Sequence, residues 1–464
     1  MNHQVQKWGP WLAISAFFAL LCAVRSSEFF WIDGDSPWHL LTGKIIWQRF
    51  SIPVVNIWDV SAPPFPWMNI SWLYDLYLGI VYSLAGMSGI VVWVLCASTT
   101  LLVALVVLQR LRGVALSLAV LGALCAHVFL SASMTARPQL AAQIFFIGYL
   151  LLLSSRWPEA LRILSQTLLA IFWVNTHGSY LLLVLMVLAG IYVSPNNKSL
   201  LRRILIESLP LVGILLNPFG TDVFAAAMAS VVSDFGPILE WLPPELYLQV
   251  IIILLTVFGL VTGSRRDSVA CERFLLIPLA YLAISSARHV PFFAIVATVI
   301  VTHRFQSNLA LLAISKRISR PILSGSAAGL FLVYHLFASQ TGLPGLFSVE
   351  NIRGDPQRIP LSEITHLRES FSAQPIFAFY NYGGLVLFLT DGEFRPFVDG
   401  RAVTAFSNQR LSQYMNIQRN PELINETNLK LALIPLGELS HSFTKLDQWS
   451  KRFCGPVACL FEKL

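Results

Sequence analysis

Residues 88–109 read SGIVVWVLCASTTLLVALVVLQ, twenty-two residues without one Asp, Glu, Lys or Arg. A spanning helix needs about 20 mostly apolar residues, because each adds about 1.5 Å across a hydrocarbon layer about 30 Å thick. Working outward, similar runs occupy about 9–25, 113–133, 138–154, 159–175, 178–194, 203–217, 246–262, 271–287, 290–305 and 321–340, which makes eleven expected spans. The first begins near the N-terminus but lacks a small-residue cleavage site, so it reads as an anchor. Of the 464 residues, 55% are hydrophobic and 12% charged, with mean hydropathy +0.65. Soluble chains carry about 25% charged residues. The deficit excludes a soluble enzyme, a disordered protein and a nucleic-acid-binding module. A polytopic α-helical membrane protein remains.

The chain changes character near residue 340. Residues 341–464 hold 12 Lys+Arg and 12 Asp+Glu, so the net charge of +7 belongs wholly to residues 1–340. We read 1–340 as a transmembrane domain and 341–464 as one α/β domain. Fifteen basic residues lie in one set of loops and helix ends, and five (Arg25, Lys44, Arg49, Arg137, Arg288) in the other. Basic residues mark the cytoplasmic side. The N-terminus is therefore expected inside, and eleven crossings put the tail outside an inner, plasma-type membrane. This keeps residues 26–87 outside. Within that first outer loop, amphipathic Pro37–Phe50 and Trp/Tyr-rich Ser71–Leu84 are expected to lie at the membrane interface. Reading 71–87 as a further span would put nearly all fifteen outside.

With this topology, unusual polar residues gather on the outer face. The first loop has Asp33, Asp35 and His39, the next turn Arg137 and Gln139, and the third Asn175 and His177. The fourth has Asn217, Asp222, Asp234 and Glu240, and the fifth Arg288 and His289. Each has a bland account. Asp35 before Ser36-Pro37 can cap a helix; the arginines can snorkel to headgroups; the histidines can be interfacial. Their convergence on one face carries more weight than any alone. A carboxylate can take a proton from an acceptor hydroxyl. Arginine matches phosphate oxygens bidentately, and histidine can add a hydrogen bond or a charge. Together they describe sugar transfer from a lipid-linked phosphate. Rival functions are a lipid or solute transporter or flippase, and a non-catalytic envelope-assembly protein. Transporters tend to show repeated halves and mid-membrane ionisable groups; this chain has no evident repeat, and its ionisable groups sit at the rim.

The stretch Asp33-Gly34-Asp35-Ser36-Pro37-Trp38-His39-Leu40-Leu41-Thr42-Gly43 resembles the acidic first-outer-loop segment of bacterial GT-C-type membrane glycosyltransferases. Arg137-Pro138-Gln139, Trp173 through Gly178, Arg288 through Phe292, and Gly383-Gly384 through Arg401 resemble further segments of those proteins. The resemblance implies a GT-C fold with two juxtamembrane helices in the first outer loop. It implies a polyprenyl-phosphate-linked sugar donor and an inverting displacement onto a glycan, lipid or protein acceptor. It puts the catalytic base at Asp33 or Asp35, of which Asp35 is favoured, and donor-phosphate contact at Arg137 or Arg288. His39, Gln139, Asn175, His177 and His289 complete the expected binding set. No cofactor or metal is expected, because a second acidic pair in a later loop is missing; a divalent ion at Asp33/Asp35 is the alternative.

In the tail, Pro375–Tyr380, Leu385–Leu389, Phe394–Val398, Leu429–Ile434 and Val457–Phe461 read as strands, and Asn408–Ile417 and Ser442–Trp449 as helices. Asp399-Gly400-Arg401 reads as a turn with an internal ion pair. Cys454 and Cys459, flanking Gly455-Pro456, are expected to form a disulfide.

Overall fold

The apolar runs are helical wherever the computed structural model describes them, which is residues 2–26, 28–31, 33–61, 63–194, 199–225, 239–261, 268–311 and 357–464. The helices are α1 (Asn2–Ser26), α2 (Ser36–Arg49), α3 (Trp72–Leu111), α4 (Leu116–Leu130), α5 (Pro138–Leu153), α6 (Glu159–Val174), α7 (Leu182–Val193), α8 (Leu200–Ser208), α9 (Leu246–Val261), α10 (Ala270–Ser285) and α11 (Val290–Leu311). By length and composition, Trp72–Leu111, Leu116–Ser133 and Ala287–Ser307 are long and apolar enough to cross a membrane, and Pro10–Cys22, Pro138–Leu153, Gly178–Val193 and Leu246–Val261 are shorter apolar helices. The expected run at 203–217 is α8 continued by a 3-10 segment, Leu209–Leu215, that begins at Leu209-Pro210. Proline has no N–H to give the ladder. The expected span at 321–340 and the boundary at 340/341 lie outside the described residues.

A straight 40-residue helix would be about 60 Å long, twice the hydrocarbon thickness. Gly86 interrupts α3 with φ +61°, ψ −152°. Residues 72–85 are thus a separate limb, so helices form at both α2 and 72–85, the two stretches expected to be helical between the first apolar runs. The limbs cross where Gly43 meets Gly79: a Cβ on either would collide with the other's backbone. Beside this contact, buried His39 Nδ1 lies 2.6 Å from Asp75 Oδ1, and Asn69 donates to Asp75 Oδ2 at 2.8 Å. Helix α2 is less amphipathic than its sequence suggests, since every residue from Ser36 to Gly43 is buried.

Polar contacts sort to the two ends of the bundle. At one end Arg112, after α3, pairs with Glu272 at the start of α10 (2.7 Å), and Arg162 in α6 grips Glu207 in α8 through two bonds of 2.6 and 2.9 Å. At the other end Trp72, opening α3, donates to Asn175 after α6 (2.8 Å), and Ser286 after α10 donates to the Glu240 carbonyl (3.0 Å).

The C-terminal part contains α12 (Leu361–Ser370), β1 (Pro375–Ala378), α13 (Tyr380–Leu389), β2 (Arg395–Pro396), α14 (Asn408–Arg419), β3 (Leu431–Pro435), α15 (Glu438–Phe443), β4 (Trp449–Cys454) and β5 (Ala458–Lys463). The sheet order is β2-β1-β3-β5-β4, parallel from β2 to β3, with β5 antiparallel to both neighbours. Two expectations are corrected. Leu385–Leu389 is helical, within α13, because a short, fully buried apolar run has no period to separate helix from strand. Ser442–Trp449 is the end of α15 and the start of β4. Cys454 and Cys459 are partners across the β4–β5 hairpin and are disulfide-bonded.

Candidate functional site

Asp35 precedes α2 but its side chain does not cap the helix. Asp33 takes the local role, accepting the Asp35 N–H (3.0 Å) and the Ser36 hydroxyl (2.8 Å). The Asp35 carboxylate is therefore free to face the bundle. Its Oδ1 accepts the Trp38 indole N–H at 3.2 Å, and its Oδ2 pairs with Arg137. Pro138 occupies the first turn of α5, which leaves Arg137 extended at the helix mouth with its guanidinium toward the acids. Arg137 also holds both Glu240 oxygens, at 2.9 and 3.0 Å, and lies 3.8 Å from Asp33.

Arg288, from the 3-10 turn between α10 and α11, stacks on the Trp241 ring with its guanidinium carbon 3.7 Å from the centroid. Among the described residues no acceptor takes its N–H groups. The two arginines thus differ: Arg137 is saturated by carboxylates, whereas Arg288 is held flat with its edge unpaired. Stacking leaves the in-plane donors of a guanidinium available for a planar or tetrahedral anion.

Electrostatics separate the acids. Burial is the largest influence on Asp35 and, with Asp33 and Glu240 nearby, pushes its carboxyl up to about 6 against the pull of Arg137 and His39. Burial also works to raise Glu240, but Arg137 and Arg288 together bring it below the usual carboxylate range. Burial opposes the charge on Arg137, yet Asp35, Glu240 and Asp33 hold its proton more tightly than usual. Burial, then Arg288 and Arg137, keeps the His177 imidazole well below its ordinary value. His177 Nδ1 accepts the Ser179 backbone N–H at 3.1 Å, so the neutral ring carries its proton on Nε2. It can donate a hydrogen bond but not a second positive charge.

The structure therefore brings together Asp33, Asp35, Arg137 and Glu240 in direct contact, with Arg288 close enough to act on Glu240, and with His177 close enough to feel both arginines. Other expected residues lie elsewhere. His39 is committed to Asp75 in the α2–α3 crossing. Asn175 ties α6 to Trp72 and to the Ile171 and Leu216 carbonyls. Gln139 is half-buried in the first turn of α5 and forms no hydrogen bond among the described residues. His289 flanks Arg288 in the same turn, and its Nδ1 is buried. Asp222 is exposed, while Asp234 is outside the described residues. Glu240 and Trp241 were not expected in the set. Glu240 was among the loop acids read toward one face, whereas Trp241 carried no signal beyond standing beside it ahead of Pro243-Pro244.

The C-terminal part walls the acidic loop. The carbonyl of Gly34 fits against Gly384 of α13, and Gly400 abuts Asp35. Buried Arg401 pairs with Asp399 (2.6 Å), donates to Asn56 (2.7 Å), and sits 4.7 and 4.9 Å from the Trp58 and Trp67 ring centres. Further pins are Lys44–Asp391 (3.0 Å), Asn56 to the Ala405 carbonyl (3.1 Å) and Arg410–Asp59.

Each Asp33 and Asp35 oxygen already accepts from an N–H, a hydroxyl or Arg137. Among the described residues no three His, Cys, Asp or Glu side chains are grouped to hold a metal.

No protein family and no curated protein matches this sequence. Among solved structures the chain is similar to the Archaeoglobus fulgidus oligosaccharyltransferase in its apo form, at a TM-score of 0.58 and 11% identity, over 91% of this chain and 69% of that one. The two chains share a fold. This chain is a helical membrane protein with a C-terminal sheet, and at this identity the likeness extends to the fold alone.

Proposed function

We propose that the protein is a GT-C-type membrane glycosyltransferase that moves a sugar from a polyprenyl-phosphate donor to an extracytoplasmic acceptor. The observation that carries this reading is the half-buried cluster of Asp33, Asp35, Arg137 and Glu240 beside Arg288, whose N–H groups meet no acceptor among the described residues, in a chain with the fold of an oligosaccharyltransferase. The acceptor X–H gives its proton to Asp35 as X attacks the anomeric carbon. The bond from that carbon to the phosphate oxygen breaks, and its electron pair leaves with the lipid phosphate. One displacement inverts the centre. Asp35 suits the base role because a pKa near the working pH serves proton transfer best. Arg288 is the phosphate clamp, and the His177 Nε2–H supplies a neutral hydrogen bond. Arg137 is the organiser, holding Asp35 and Glu240 in register.

In this reading the end carrying Asp35 is extracytoplasmic, the fifteen-residue basic set faces the cytoplasm, and about eleven spans cross the inner membrane. The Cys454–Cys459 bond favours this sidedness, because disulfides persist in oxidising compartments. The lipid tail of the donor lies between helices. The test is incubation of purified protein with a panel of polyprenyl-phosphate sugars, scored for released lipid phosphate and transferred sugar. Turnover is expected with at least one donor, and Asp35→Asn should lower it by about 10²–10⁴-fold, the usual worth of a general base. No turnover with any donor, or an Asp35→Asn protein as active as the parent, overturns the reading.

A further inference from the structure

The Asp399-Gly400-Arg401 turn makes an internal ion pair, but that pair does not explain the glycine. The backbone at Gly400 is outside the left-handed region, so an ordinary side chain would be tolerated there on conformational grounds. Space is what forbids one: a Cβ at residue 400 would collide with Asp35 Oδ1 and lie 3.1 Å from the Trp38 indole nitrogen. The turn is also fixed from below. Arg401 has no exposed side-chain surface, and it is locked by two bonds to Asp399 (2.9 and 2.6 Å), one to Asn56, and the faces of Trp58, Trp67 and Phe406. Asn56, Trp58 and Trp67 all belong to the first outer loop, the same loop that carries Asp35. The acid is thus bounded on three sides. Trp38 and Gly400 meet Oδ1, and Arg137 holds Oδ2.

We propose that Gly400, seated by Arg401, is a positioning residue for Asp35: the C-terminal part supplies the wall that fixes the direction of the carboxylate. This rests on the glycosyltransferase reading for its catalytic consequence, but the contact itself does not. A carboxylate pushed aside by a methyl group still lies in a site with its phosphate clamp, Arg288, unchanged, so the loss falls on turnover rather than on donor binding. Misplacement by about 1 Å costs on the order of 10²-fold in rate.

Two measurements on the full-length protein test this. First, Gly400→Ala is made in the parent and in an Asp35→Ala background, and melting midpoints are compared. The alanine should lower the midpoint in the parent and have less than half that effect where Asp35 is truncated. Equal losses in both backgrounds overturn the contact. Second, Gly400→Ala should lower kcat by about 10–100-fold while the donor KM stays within about twofold. An unchanged kcat, or a loss carried by KM, overturns the positioning role while leaving the proposed function standing. If the parent itself transfers no sugar, the functional reading fails, the catalytic consequence fails with it, and the melting comparison still decides the contact.

Discussion

At the scale of single residues, the informative contrast is between two arginines with the same expected role. Arg137 and Arg288 were equally good phosphate ligands in the sequence, because charge and loop position say nothing about which carboxylates a fold will bring near. Arg137 is engaged by three acids and Arg288 by an indole face. Their substitutions should differ in kind. Arg137 holds the Asp35 pKa down, so Arg137→Gln should raise it further. Asp35 is an effective base only above its pKa of about 6. The acid limb of kcat/KM should therefore move to higher pH in Arg137→Gln, with the parent rate falling about tenfold per unit below its own midpoint. A pH-rate profile of both proteins reads this. Arg288→Lys keeps a charge but loses the flat fork, and should raise donor KM or lower kcat by about 10²-fold, typical of one lost oxyanion donor. Initial rates against donor concentration distinguish it from Arg137→Gln, because the pH limb should stay in place.

At the scale of elements, helix positions were legible because hydrophobic runs near bilayer length leave the backbone little alternative. The break at Gly86 was legible only as a change from Trp/Tyr-rich to purely apolar sequence. The α2–α3 crossing was not legible at all, since Gly43 and Gly79 lie 36 residues apart and single glycines carry no label for the partner they admit. Within the C-terminal part, α13 was misread because burial on all sides erases the 3.6-residue period. Glycine at the crossing allows backbone contact. Gly79→Val should cost about 1–3 kcal/mol by overpacking and should lower the midpoint of heat-induced loss of monodisperse protein in detergent. Gly86→Ala acts by a different route, because φ +61° with ψ −152° is a backbone conformation open essentially to glycine alone and costs a side chain about 1–3 kcal/mol.

At the scale of the whole molecule, charge asymmetry sets an expectation of sidedness, while the contacts themselves join Arg112 to Glu272 and Arg162 to Glu207, apart from the Asp35 cluster. What the sequence could not reveal was that the C-terminal part docks directly on the first outer loop, since the pairs Asn56–Arg401 and Asp59–Arg410 join residues about 350 apart. A membrane-impermeant maleimide applied to intact spheroplasts should label the tail only after reduction of Cys454–Cys459, whereas Cys96 and Cys125, within helices α3 and α4, stay unlabelled. Labelling only after membrane lysis would invert the proposed orientation. Reduction itself should be mild, because so short a loop stores about 2 kcal/mol of chain entropy.

The wall that Gly400 forms behind Asp35 also has a bearing on biosynthesis. The ribosome delivers Asp35 some 365 residues before Gly400. Until the C-terminal part has been made and has docked, the nascent chain holds a carboxylate lacking its backstop, so the pocket is completed late in synthesis.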